Sequence, residues 1–251
     1  MPPNAQPDAR VFADLETMSQ ALAAEIARAA SDAVAARGRF TIALSGGSTP
    51  RRLYQLLAAD YREQVPWHAV HVFFGDERCV PPTHEESNYG MARFELLSRV
   101  PIPSDHVHRM PGELSPEEGA RRYDALLRRL LADGDATSPP RGETLDVALQ
   151  GIGADGHTAS LFPGSWALEE RERWAVAVEA AEYMETRMRI TMTLPVLNGA
   201  RDVYVQVAGA EKRPVVNEIL GGDPTAASKY PAARLRGMQR TVWFLDRAAR
   251  G

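Results

Sequence analysis

The sequence predicts an α/β fold: a mostly parallel central sheet with helices on both faces. Two patterns carry that expectation. Short, continuously apolar runs alternate with segments of helical period, and glycine-rich turns stand where an apolar run gives way to the next helix. At 251 residues, 44% of them hydrophobic and 25% charged, the chain is large enough to bury such a sheet within one domain. A small subdomain is expected at about 85–141.

Taken in order, Leu15 to Ala36 sets Leu15, Met18, Leu22, Ile26 and Ala30 at helical spacing, with Gly38 as the stop. Phe40 to Leu44 is a short apolar strand, Ser45 to Pro50 a turn, and Pro50 opens a helix through Leu57. Val70 to Phe74 reads as a strand ending at Gly75-Asp76, Asn88 to Leu97 as a helix, and His106 to Met110 as another strand. Ser115, with Glu118 three residues on, has the form of a capping box for a helix to Leu131; Asp133 to Glu143 has a loop's composition. Leu145 to Leu149 is a buried strand, followed by apolar alternations at Trp174 to Val178 and Met188 to Thr193. Val203 to Val207 is a further buried strand, Glu211 to Leu220 a helix closed by Gly221-Gly222, and Thr241 to Leu245 a last strand.

The balance of charge excludes some roles. A net charge of −4 gives no polyelectrolyte signature, so nucleic acid is not an expected partner. The single cysteine, Cys79, cannot form an internal disulfide, which suits a reducing compartment. No signal-like or membrane-length apolar segment is visible, and a cytoplasmic protein without membrane partners is expected.

Four strand ends carry chemistry. LSGGSTP, Leu44 to Pro50, brings backbone amides, hydroxyls and a helix start together at Ser45, Gly46, Gly47, Ser48 and Thr49, a cradle for an anion. FFGDER places Asp76, Glu77 and Arg78 directly after a buried strand, and Arg78 suits a phosphate or carboxylate. Asn88 and Tyr89 head the next helix, where capping competes with a binding role. LDVALQGIGADGHTASLFPG delivers Asp155 and His157 from a glycine turn that includes Gly153. Its G-x-G-x-x-G spacing invites a dinucleotide reading, but Pro163-Gly164 breaks the helix that such a turn must open. Lys212, at the end of the Val203 strand, sits on a first helical turn, where a cation opposes the helix dipole unless an anion joins it. Arg187 and Arg189 share one strand face, so one can reach the site while the other serves the structure. His106 and His108 have a spacing open to metal, without a third ligand of any known pattern; His68 and His71 flank a strand start. Parallel strands bring their carboxyl ends to one edge, so the four turns are expected to be neighbours.

LSGGSTP, FFGDERCVPPTHEESNYG, GIGADGHTASLFPGS, the RITMTLPVLN run and GAEKRPVV together resemble the 6-phosphogluconolactonases, a subfamily of the glucosamine/galactosamine-6-phosphate isomerase family. The resemblance spans nearly the whole chain. It implies a Rossmann-like sheet of the glucosamine-6-phosphate deaminase and ribose-5-phosphate isomerase type, and hydrolysis of a phosphosugar lactone by a monomer. His157 would be the general base, oriented by Asp155 or Asp76, with glycine-turn amides at the oxyanion. Ser45 to Thr49, Arg78, Lys212 and Arg189 would hold the 6-phosphate, with Asn88 and Gly153 beside the substrate. No metal or organic cofactor is required. The related deaminases are the alternative, but their ring-opening glutamate corresponds here to Phe162, which transfers no proton, although Asp76 matches their base. A non-catalytic sugar-phosphate sensor would need the cradle without His157.

Overall fold

The computed structural model describes residues 8–132, 142–182 and 184–251. Nine strands are found among them: β1 (Asp8–Phe12), β2 (Phe40–Leu44), β3 (Val70–Phe74), β4 (Asp76–Arg78), β5 (Val147–Gln150), β6 (Ala175–Glu179), β7 (Met188–Met192), β8 (Asp202–Val207) and β9 (Arg240–Asp246). Six form a wholly parallel sheet in the order β1-β9-β8-β5-β2-β3. Every residue of β2, β5 and β8 is buried. Strands covered on both faces are therefore continuous apolar runs without alternation, which is how the sequence writes them.

The principal helices are α1 (Leu15–Arg37), α2 (Pro50–Ala59), α3 (Asn88–Ala92), α4 (Pro116–Leu131), α5 (Leu194–Asn198) and α6 (Arg213–Leu220). The α1 helix is fixed at both ends. Asp14 accepts the Thr17 N–H at 2.8 Å while the Thr17 hydroxyl accepts the Asp14 N–H at 3.3 Å, and Gly38 closes the helix at φ 74°. Its Met18, Leu22, Ile26 and Ala30 are buried, as their spacing requires.

A second sheet, antiparallel and ordered β4-β7-β6, leaves the first at Gly75. The Gly75 N–H donates to the Leu44 carbonyl at 2.9 Å, and its carbonyl accepts the Met192 N–H at 2.8 Å, so one residue belongs to both hydrogen-bond systems. Three charged residues in a row read as a turn, which is why β4 escapes sequence reasoning. β1 escapes it too, because an edge strand carries little apolar alternation.

Two local expectations are corrected. His106 to Met110 is not a strand: Ser104–His106 is a 3-10 turn, and only Val107 bridges to Val72 at the open edge of β3. Pro101, Pro103 and Pro111 flank this stretch, and prolines donate nothing to a ladder. Neither half of the expected capping box forms: the Ser115 side chain makes no cap bond, and the Glu118 carboxylate is taken by Arg121 at 2.8 Å and Arg122 at 2.6 Å. Residues 133–141, which hold most of the expected Asp133–Glu143 loop and the end of the 85–141 region, lie outside the described residues.

The segment beside β3 is held by imidazoles. His71 Nδ1 and His108 Nε2 are 3.1 Å apart in nearly parallel rings, and His106 stacks on His71 at 3.9 Å between centroids. Burial, then the charges of His71 and His106, push His108 down to about 4; burial and His106 lower His71 as well. Arg39 and Arg129 oppose protonation here, and Asp105 favours it. His71 and His108 therefore resist protonation in the native state, while the unfolded chain takes up protons below its ordinary histidine pKa. Stability is therefore lost as pH falls from that value through about 4. Urea midpoints at neutral pH and at about pH 4.5 should show a smaller acid loss in His71→Phe than in wild type. Equal losses would exclude this cluster as a source of acid lability.

Candidate active site

A cavity of about 460 Å³ opens at the carboxyl ends of β2, β3, β5 and β8, where the parallel topology gathers the four sequence-predicted turns. Its lining includes Ser45, Gly46, Gly47, Ser48, Thr49, Asp76, Arg78, Asn88, Gly153, His157, Arg189 and Lys212.

The turn after β2 is shaped for close approach. A methyl group at Gly46 would overlap the Asn88 amide, and Gly47 has φ 89°. Thr49 precedes Pro50 with no side-chain cap bond, and the first turn of α2 holds no acidic residue. The positive end of that helix thus remains open to an anion.

On β4, two successive carboxylates point to opposite faces. Glu77 accepts from the N–H groups of Arg78 (2.8 Å), Asn88 (2.7 Å) and Tyr89 (2.8 Å) and from the Ser87 hydroxyl (3.0 Å). Burial raises its carboxyl above the ordinary range, and these four bonds work against that rise. Asp76 accepts the Ser160 hydroxyl at 2.6 Å and the Asn88 side-chain N–H at 3.0 Å. Ser87 caps α3, leaving the Asn88 side chain free to face the cavity.

His157 is fixed from three sides. Its Nδ1 lies 2.6 Å from Asp155 Oδ1, which also accepts the His157 backbone N–H at 3.2 Å. A methyl at Gly153 would overlap Nδ1, and the Phe162 ring packs 4.9 Å away, tilted by 47°. Burial would raise Asp155, but the bonds from His157 prevail and hold its carboxyl at about 2. Of the two carboxylates weighed for orienting the imidazole, Asp155 is the one bonded to it; Asp76 is engaged by Ser160 and Asn88 instead. With Nδ1 committed, Nε2 is the nitrogen left to work on a substrate.

The amides of this turn are largely spent. Gly153 N–H donates to the His157 carbonyl at 2.9 Å, and Gly156 N–H to the Gly153 carbonyl at 3.0 Å. They are not the oxyanion donors that the glycine pattern suggests. No helix follows the G-x-G-x-x-G spacing either; the chain makes a short turn with a Thr158–Leu161 bridge.

Three cations face the cavity without an ion-pair partner among the described residues: Arg78, Arg189 and Lys212. Arg78 and Arg189 stand directly opposite one another in the β4–β7 ladder. Arg78 donates to the Glu86 carbonyl, and Arg189 lies 3.7 Å from the Met184 sulfur. Burial, then the like charge of Arg78, lowers the Arg189 pKa. Arg187 lies just before β7, not on a shared strand face with Arg189, and pairs with Glu179 at 2.7 Å outside the cavity. Lys212 stands at the N-cap of α6 and not within its first turn. Sequence reasoning missed Ser160, Glu77 as an anchor, and the contact of Phe162 with His157. The first and last lie in the glycine-turn motif itself, and their adjacency to His157 is the one available signal.

The fold and this cavity define a class: an α/β protein whose parallel sheet presents a multiply cationic pocket and an imidazole–carboxylate pair at one edge. Residues 13–243 match the family model for glucosamine-6-phosphate isomerases/6-phosphogluconolactonase, and the chain belongs to that family. It is 41% identical over 219 residues to the 6-phosphogluconolactonase of Nostoc sp., covering 86% of each chain. It is 38% identical over 244 residues to that of Mycobacterium leprae, covering 95% of each. The solved 6-phosphogluconolactonase of Trypanosoma brucei superposes with a TM-score of 0.83 at 31% identity, covering 98% of both chains.

Gly153→Ala tests the packing of the His157 imidazole. The added methyl must displace the imidazole, and a shift of about 1 Å in a catalytic group costs on the order of 10²-fold in rate. Turnover should fall by that order with the thermal midpoint little changed; wild-type turnover would show that the His157 ring position does not limit the reaction.

Proposed function

We propose that this chain hydrolyses 6-phospho-D-glucono-1,5-lactone to 6-phospho-D-gluconate, the lactonase step of the oxidative pentose phosphate pathway. The observation that carries the reading is the coexistence, in one cavity, of unpaired cations and a base whose second nitrogen is free. Arg78, Arg189 and Lys212 fit a phosphate dianion. His157, held by Asp155, fits a proton acceptor for water.

In this mechanism the substrate's phosphate is received by the 45–49 turn and by the three cations. Water attacks the lactone carbonyl as His157 takes its proton, and Asp155 stabilises the imidazolium. The tetrahedral intermediate collapses with cleavage of the bond to the ring oxygen, and His157 returns the proton to that oxygen. No step calls for a metal or organic cofactor. Asn88 and Asp76, joined at 3.0 Å, stand beside the sugar. Phe162 sets hydrocarbon against the imidazole, which argues against aminosugar deamination through an acid at that position. The free thiol of Cys79, pushed up to about 11 by burial and by Glu77, accords with a reduced cytoplasmic setting. A monomer suffices, since the proposed roles are all filled from one chain.

His157→Ala should lower kcat by about 10²–10⁴, the usual weight of a positioned acid–base group, with binding of 6-phosphogluconate little affected. The lactone also opens spontaneously, so rates are taken above the uncatalysed blank at each pH. Near-wild-type kcat would remove His157 from the mechanism.

The phosphate clamp is tested by substrate comparison. Arg78→Ala and Lys212→Ala should each cost roughly one to two decades in kcat/KM on the phosphorylated lactone, the weight of one charge-assisted hydrogen bond. Hydrolysis of unphosphorylated gluconolactone should hardly change. Equal losses on both lactones would place these cations at the reacting carbonyl or in the fold, and would overturn the clamp.

A further inference from the structure

Hydrolysis needs a hydrogen-bond donor for the carbonyl oxygen as it becomes an oxyanion, and the amides of Gly153, Gly156 and His157 already have acceptors. Another backbone group is free. Ala159 is the only non-glycine residue with positive φ among the described residues, at 47°. It is the first central residue of a tight turn, Thr158 to Leu161, closed by the Leu161 N–H on the Thr158 carbonyl at 2.9 Å. A left-handed conformation at that position alone is one that glycine ordinarily supplies.

Strain in a non-glycine residue persists only where its surroundings impose it, and such residues gather at active sites. Here both flanks are locked. The Thr158 hydroxyl donates to Gln150 Oε1 at 3.1 Å; the Ser160 N–H donates to the Thr191 hydroxyl oxygen at 3.3 Å, and the Ser160 hydroxyl to Asp76 at 2.6 Å. Between them, the Ala159 N–H has no acceptor among the described residues. A turn of this kind never uses the N–H of its first central residue in its own closure. Ala159 lines the cavity, two residues beyond His157.

We propose that the backbone N–H of Ala159 is the oxyanion donor of the reaction, an assignment that rests on the hydrolytic reading above. As water adds to the carbonyl carbon, its proton passes to His157 and the C=O π pair moves onto oxygen, where the Ala159 N–H receives it. When that pair returns, the bond to the ring oxygen breaks and the proton passes from His157 to that oxygen. The strained turn holds the donor in place before substrate arrives, so the hydrogen bond strengthens without reorganisation. Asp76 acquires a role as a positioning residue: through Ser160 it fixes the turn that carries the donor.

The test is a backbone substitution. Incorporating lactic acid at position 159 by nonsense suppression replaces the N–H by an ester oxygen and keeps the methyl group. With 6-phosphogluconolactone, kcat should fall about 10²–10³-fold, the cost of one oxyanion donor, with KM little changed. Ala159→Gly retains the N–H and should lose at least about tenfold less than the ester protein. An ester protein with wild-type kcat overturns the assignment, as does a loss expressed in KM alone or an Ala159→Gly loss as large as the ester's. Wild-type protein that gives no hydrolysis above the blank would instead defeat the hydrolytic reading, so the two failures are told apart.

Discussion

The site depends on the hydrogen bonding of two buried carboxylates in β4. Asp76 and Glu77 are 8% and 2% exposed, and ions so placed must be met by donors or they destabilise the fold. Those donors come from the segments that build the cavity. Glu77 collects the start of α3 and the backbone of Arg78. Asp76 collects the Asn88 side chain and, through Ser160, the loop that carries His157. Gly75, one residue earlier, ties the same segment to β2 and β7. Three stretches of chain distant in sequence are therefore brought into register by the need to satisfy two charges, and removing either carboxylate would loosen several walls together.

The cations obey the opposite logic. Elsewhere arginines are neutralised: Arg37 meets Asp146 at 2.5 Å, and Arg240 meets Asp202 at 2.7 Å and Glu25 at 2.8 Å. In the cavity, Arg78 and Arg189 face one another across a ladder, an arrangement that destabilises an antiparallel pair. Nothing in the packing of the sheets requires two guanidinium groups there. The dianionic ligand proposed above would offset their repulsion, so that the free protein carries a cost that binding would relieve. This is the electrostatic form of a stability traded for function.

Much of the site was legible because its elements are local. His157 and Asp155 are two residues apart, and the cradle from Ser45 to Thr49 is a single turn. The strands of the parallel sheet were legible because burial on both faces writes them as uninterrupted apolar runs. What stayed hidden was set by distant partners. DER looks like a solvated turn until Ser87, Asn88 and Ser160 arrive to bond its carboxylates, so β4 and the second sheet did not show. Sequence spacing could not separate Asp155 from Asp76 as the partner of His157, since either carboxylate is the right group. Gly153 was legible as a glycine, but its reason was not: the space it leaves is filled by an imidazole, and not by a substrate drawn onto its amide.

Glycines in a catalytic turn are readily taken as amide donors, yet the N–H groups of Gly153 and Gly156 hold the turn together. Gly153 leaves the space that the His157 imidazole fills, Gly156 the space taken by Tyr230, and Asp155 bonds the imidazole Nδ1. Asp155 is kept near 2, below the ordinary aspartate range, so it stabilises the folded loop above that ordinary value. The contribution is lost as pH falls from that ordinary value through about 2, below the value of about 4 to which His108 is pushed. The proposed base is thus oriented by a carboxylate held at about 2. In the proposed reaction the donor for the developing oxyanion comes from a part of the loop that those glycines do not occupy, where the one non-glycine residue of positive φ is the alanine held between Thr158 and Ser160.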